Sequence, residues 1–157
     1  MSIELTQPGC ELLSLQPMVI KNVKDYFHIH TYGGLSPFFH GLREGKLLGT
    51  RCSDASCGEK RIFLPPRTEC PDCLSQMAWV EAPLVGEIYT HTEVLYPGAG
   101  FKLTTPCPLI SVSLDGVCTK LMSYLKEGEP KIGMKIKAVF NTKNPTNTIL
   151  DLAWVPA

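Results

Sequence analysis

Apolar and polar positions alternate strictly through the second half of the chain, the pattern of strands with one face buried and one face wet. The clearest run is KIGMKIKAVF, where Ile132, Met134, Ile136, Ala138 and Phe140 share one face and Lys131, Lys135 and Lys137 the other. LISVSL sets Ile110, Val112 and Leu114 against Ser111 and Ser113, and GEIYTHTEVLY alternates in the same way. Asp115-Gly116, between LISVSL and VCTKLMSYL, predicts a two-residue hairpin turn, and TILDLAWV predicts a closing strand. Five short antiparallel strands with uneven loops suit a small Greek-key barrel of the OB type over residues 83–157.

Upstream the period changes. Ser36-Pro37 starts a short helix, with Ser36 as N-cap and Pro37 at the first helical position; Phe38, Phe39 and Leu42 share a face, and Gly45 ends it. Two aromatics on so short a helix are too much apolar surface to leave wet. They dock on the protein's own sheet or serve as anchors on another subunit, since aromatics dominate such interfaces. Residues 1–46 therefore read as an extended arm followed by this helix. The arm holds a β-leaning stretch, DYFHIHTY, whose His28 and His30 fall on one strand face without a third metal ligand nearby.

Between helix and barrel, residues 47–82 carry Cys52-x4-Cys57-x12-Cys70-x2-Cys73. Two short-spaced cysteine pairs supply the four corners of a tetrahedral zinc site, with Gly58 and Pro71 placed where the chain turns to aim the sulfurs. Short strands at Lys46–Arg51, Lys60–Leu64 and Gln76–Val80 would make this a rubredoxin-like zinc ribbon. Four thiolates leave no open coordination position, so the zinc is structural, and its binding supplies much of the segment's folding free energy. The whole chain is mainly β.

Composition narrows the function. The chain has 157 residues, and its 15 positive and 15 negative side chains leave no basic excess of the kind that phosphate-driven nucleic-acid binding requires. Single-stranded nucleic-acid binding is thus the alternative function, available to both zinc ribbons and OB barrels but disfavoured by charge. Locally, Arg51, Lys60, Arg61 and Arg67 cluster in or beside the cysteine segment, either as solvated charge or as a small anion-binding patch. No run is long enough to span a bilayer, no secretory leader is evident, and seven cysteines is an odd number, all of which favour a reducing cytoplasm. His40, His91 and Cys107 carry no adjacent base, acid or nucleophile, and an inert thiol is the default for Cys107. The chain reads as a binding or scaffolding module that is not an enzyme by itself.

Several segments together carry a resemblance: FFHGLREGKLLGTRC, the Pro65-Pro66-Arg67 step between the cysteine pairs, Trp79, VGEIYTHTEV, PCPLISVSLDG and IGMKIKAVF. Over about residues 36–157 the chain resembles the zinc-ribbon/OB-fold acyl-CoA-associated family, formerly a domain of unknown function. The first cysteine pair departs from that pattern, with x4 where the family usually has x2. The resemblance implies an accessory subunit that assembles with a thiolase-like or hydroxymethylglutaryl-CoA-synthase-like catalytic subunit and helps hold its CoA thioester. It makes Arg51, Lys60, Arg61 and Arg67 candidate CoA or anion contacts, and Phe38 and Phe39 candidate interface anchors.

Overall fold

A computed structural model describes residues 11–21, 29–98 and 101–157, with the side chains of residues 11, 12, 20 and 21 left aside. The chain forms two compact units, 1–31 and 32–157. In the first, β1 (Glu11–Leu15) and β2 (Met18–Lys21) pair as an antiparallel hairpin. Residues 25–28 of the DYFHIHTY stretch, His28 included, lie outside the described residues. Among the described residues, no helix is long and apolar enough to cross a membrane.

The second unit begins with a 3-10 turn and α1 (Ser36–Arg43). Ser36 is not the N-cap: Leu35 takes that place, and the Ser36 hydroxyl donates back to the Gly33 carbonyl at 2.7 Å. Gly45 ends the helix as expected, at φ +75°, in the left-handed region that costs glycine nothing.

The ribbon follows. β3 (Leu48–Cys52) pairs antiparallel with β4 (Met77–Glu81). The expected strand at Lys60–Leu64 is reduced to a two-way exchange between Phe63 and Thr50, with N–H to O distances of 2.7 and 3.1 Å. Gly49 lies so close beneath Ile62 and the Phe63 carbonyl that a Cβ there would collide with both.

Five strands form the barrel: β5 (Val85–Val94), β6 (Cys107–Leu114), β7 (Leu121–Tyr124), β8 (Lys135–Phe140) and β9 (Leu152–Pro156). Their order is β7-β6-β5-β8-β9, all neighbours antiparallel. The two ends of the sheet meet where Leu125 bridges Trp154 in parallel and the Lys126 N–H donates to the Trp154 carbonyl at 2.8 Å. A meander of three strands, a returning pair and a parallel closure make the OB topology.

Two expectations need correction. Ile132 is not in a strand: Gly133 turns the chain at φ +80°, and Ile132 is exposed. Asp115-Gly116 does turn the chain, but no two-residue hairpin follows, because Val117 and Cys118 leave β6 and pair with Ile62 of the ribbon. One core results. Phe38 and Leu42 of α1, Ile62 and Leu64 of the ribbon, and Ile110, Leu121, Ile136 and Trp154 of the barrel form a single buried cluster. The ribbon is thus a lobe of the barrel's own core on one side and a metal knuckle on the other.

Candidate metal centre and its surroundings

β3 ends at Cys52 and thereby fixes the first sulfur; β4 begins four residues after Cys73 and fixes the chain beyond the last. The four Sγ atoms all lie within 4.8 Å of one another, with Cys52 and Cys73 at 3.5 Å and Cys57 and Cys70 at 3.8 Å. A metal with sulfur bonds of about 2.3 Å spaces tetrahedral ligands roughly 3.8 Å apart. The cluster therefore has the dimensions of a four-thiolate site. Cys52, Cys57 and Cys70 are buried and Cys73 is half-buried.

The widened first pair has a local explanation. The extra residues close on themselves: the Asp54 carboxylate accepts from the Ser56 N–H at 2.8 Å and from its hydroxyl at 2.7 Å, and the Cys57 N–H donates to the Asp54 carbonyl at 3.3 Å. This is an aspartate turn, which gives the backbone its own partners without disturbing the sulfurs. Lys60 Nζ then donates to the Asp54 and Ala55 carbonyls at 3.1 and 2.8 Å. In the second knuckle, the Leu74 N–H donates to Cys70 O and the Cys70 N–H to Ser75 O, both at 2.9 Å. The left-handed residue is Leu74, at φ +60°, and not Gly58, whose φ is ordinary.

Electrostatics also favour a cation. Burial pushes the Cys52 thiol up to about 12, while hydrogen bonds from the Ser75 side chain, then its backbone, bring Cys73 down to about 6. All four sulfurs could ionise this close together only around a positive ion. An ion held by all four sulfurs would have no open coordination position left.

The four cations singled out from the sequence are mostly engaged. Lys60 braces the first knuckle. Arg61 is in a two-pronged pair with Glu59, at 3.0 and 2.6 Å, which draws the Glu59 carboxyl down to about 2. Arg67 lies 5.8 Å from the centre of the Phe63 ring. Arg51 is exposed on β3, with no ion pair or ring contact of its own among the described residues. Phe38 is 4% exposed, taken up by the chain's own core, and Phe39 is half-buried against Tyr32 with ring centres 3.6 Å apart. Cys107 is buried and burial raises its thiol; Cys118 is half-buried with the same shift and cause. Neither is poised as a thiolate.

Sequence reasoning missed a residue that helps join ribbon to barrel. Thr119 Oγ1 accepts from the Leu64 N–H at 2.9 Å and donates to the Leu64 carbonyl at 2.7 Å. A lone threonine in a turn gives no pattern by which a partner 55 residues away could be found. It also missed Asp151, which is 1% exposed and shapes the β8–β9 loop by accepting from the Thr146 and Asn147 N–H groups at 2.7 and 2.8 Å.

Comparison with known proteins agrees with this architecture. Residues 79–141 match the family model of the ChsH2 C-terminal OB-fold domain. The chain is similar to the solved structure of an Ltp2–ChsH2(DUF35) aldolase, with 24% identity over 82% of this chain and 98% of that chain and a TM-score of 0.64. It is also similar to a protein of unknown function from the DUF35 family of Sulfolobus solfataricus, with 26% identity over 80% and 87% of the two chains and a TM-score of 0.58. These matches bear out the resemblance read from the sequence and the OB reading of the barrel.

Proposed function

We propose that this chain is a non-catalytic, zinc-binding subunit. Its partner is an enzyme of the class that makes or breaks carbon–carbon bonds in CoA thioesters, a thiolase or an aldolase, and the chain helps hold the acyl-CoA there. The observation that carries the proposal is a structural neighbour of the same architecture, described as a ChsH2(DUF35) protein within an Ltp2–ChsH2 aldolase. Two features of the chain support it. Its four clustered sulfurs suit a closed structural ion, and the buried Cys107 outside that cluster is held as a neutral thiol. Zinc is the metal proposed, because a rigid four-thiolate tetrahedron without redox demand favours it.

Co-purification tests the assembly. A tagged chain recovered from its native cells should bring down a CoA-dependent condensing or cleaving enzyme, and that enzyme should lose turnover when the chain is withheld. If the chain returns alone and the neighbouring enzyme is fully active without it, the proposal is wrong. Zinc content of one ion per chain, measured on the purified complex, tests the metal.

A further inference from the structure

Three exposed cations, Arg43, Lys126 and Lys143, line one side of the barrel. An open cleft of about 480 Å³ is lined by His40, Arg43 and Glu44 of the helix end and by Thr142, Lys143 and Pro145 of the β8–β9 loop. It shares Thr142 and Lys143 with a second cleft of about 360 Å³ that runs past Phe140, Val139, Tyr124 and Lys126. That one shares Tyr124 and Lys126 with a third, of about 330 Å³, walled by Leu103, Pro106, Pro108 and Leu125. The three adjoin as one trough along the seam where β7 meets β9.

Charge along this trough is one-sided. Arg43, Lys143 and Lys126 are exposed, and among the described residues no ion pair engages any of them. Of the two acids, Glu44 is held by Lys46 at 3.5 Å, and Asp151 is buried with its oxygens occupied by Thr146, Asn147 and Asn141. In a chain of zero formal charge, Arg43 and Lys143 at one end of the groove and Lys126 farther along it focus positive potential there. The walls at the other end are proline and leucine. The groove also lies between the β5–β6 and β8–β9 loops beside β7, the region where OB barrels in general take their ligands.

We infer that this trough binds an elongated organic phosphate. Its anionic head sits among Arg43, Lys143 and His40, and its uncharged body lies along Phe140 and Tyr124 toward Pro108. Resting on the proposed function, that ligand is the CoA portion of the thioester, bound with its phosphates at the helix end. A single-stranded nucleic acid fits less well. The trough's aromatics are half-buried, and the Tyr124 hydroxyl is turned to the Leu150 carbonyl at 3.4 Å, so it offers no open stacking platform.

Arg43 and Lys143 are exposed and outside the core, so charge reversal there leaves the fold intact. Isothermal titration of the full zinc-loaded chain should show binding of coenzyme A, weaker binding of 3′,5′-ADP and still weaker binding of inorganic phosphate. Arg43→Glu and Lys143→Glu should each weaken coenzyme A about tenfold, the scale of a lost charged contact. Amide shifts on titration should fall in residues 124–128 and 139–143. Unchanged affinity in both variants overturns the inference, as does equal binding of phosphate alone, or preferred, salt-steep binding of a dT10 oligonucleotide. Co-purification separates this from the preceding proposal. Coenzyme A bound in the trough by a chain that recruits no enzyme sinks the subunit role and leaves the groove, whereas normal assembly without trough binding does the reverse.

Discussion

Replacing Thr119 by valine keeps the side chain's shape and removes its hydroxyl, which isolates one contact between ribbon and barrel. In the native chain that hydroxyl satisfies both the N–H and the carbonyl of Leu64, a residue with no exposed surface. Valine leaves both groups buried without partners. An unmade buried hydrogen bond costs about 1–3 kcal/mol, the carbonyl toward the low end, so the pair comes to about 3 kcal/mol with little cavity cost. For a domain of this size that is a fall in Tm of roughly 6–12 °C. Urea unfolding of the zinc-loaded protein should show a lower midpoint at unchanged slope, and Thr119→Ser, which keeps the hydroxyl, should recover most of the loss. A Thr119→Val protein within about 0.5 kcal/mol of the native one would refute the view that Leu64 depends on this side chain.

Further outcomes follow from the same geometry. Cys70→Ser places a hydroxyl at the most buried corner of the thiol cluster, so metal per chain, read by mass spectrometry, should fall well below one; full retention would count against a four-thiolate site. Leu74 is exposed and left-handed, so Leu74→Gly should relieve about 1 kcal/mol of strain and leave the ribbon at least as stable to chelators. Cys107 holds its proton above the ordinary thiol range because it is buried. Its share of stability is therefore whole below the unfolded thiol value of about 8.5 and is lost as pH rises beyond it, not as pH falls. Iodoacetamide at pH 8 should label native Cys107 about tenfold more slowly than the unfolded chain, and equal rates would contradict the burial.

The barrel was legible because a half-buried sheet writes its pleat into the sequence. Ile110, Val112 and Leu114 alternate with serines in LISVSL, and all three are buried. The cysteine cluster was legible for a similar reason, since ligand spacing is local. What escaped depended on contacts between distant segments. Ile132 follows the strand period but sits where Gly133 bends the chain. Asp115-Gly116 looks like a hairpin because nothing local says that Val117 will pair with Ile62. The basic cluster near the cysteines read as a binding patch because Glu59, the Asp54 turn and the Phe63 ring could not be seen to engage three of its four members. Arg43 and Lys143, two cations of the trough, are 100 residues apart, and only the fold brings them to one cleft.

The bond between Thr119 and Leu64 sets an order of events for the nascent chain. All four thiols have been synthesised by residue 73, so a metal can be captured while the barrel is still unmade. The ribbon's inner segment then waits, with the main-chain groups of Leu64 unanswered, until Thr119 emerges after β6. A ribbon cut out and expressed alone would carry its metal but expose Ile62 and Leu64, the surface that the barrel was built to cover.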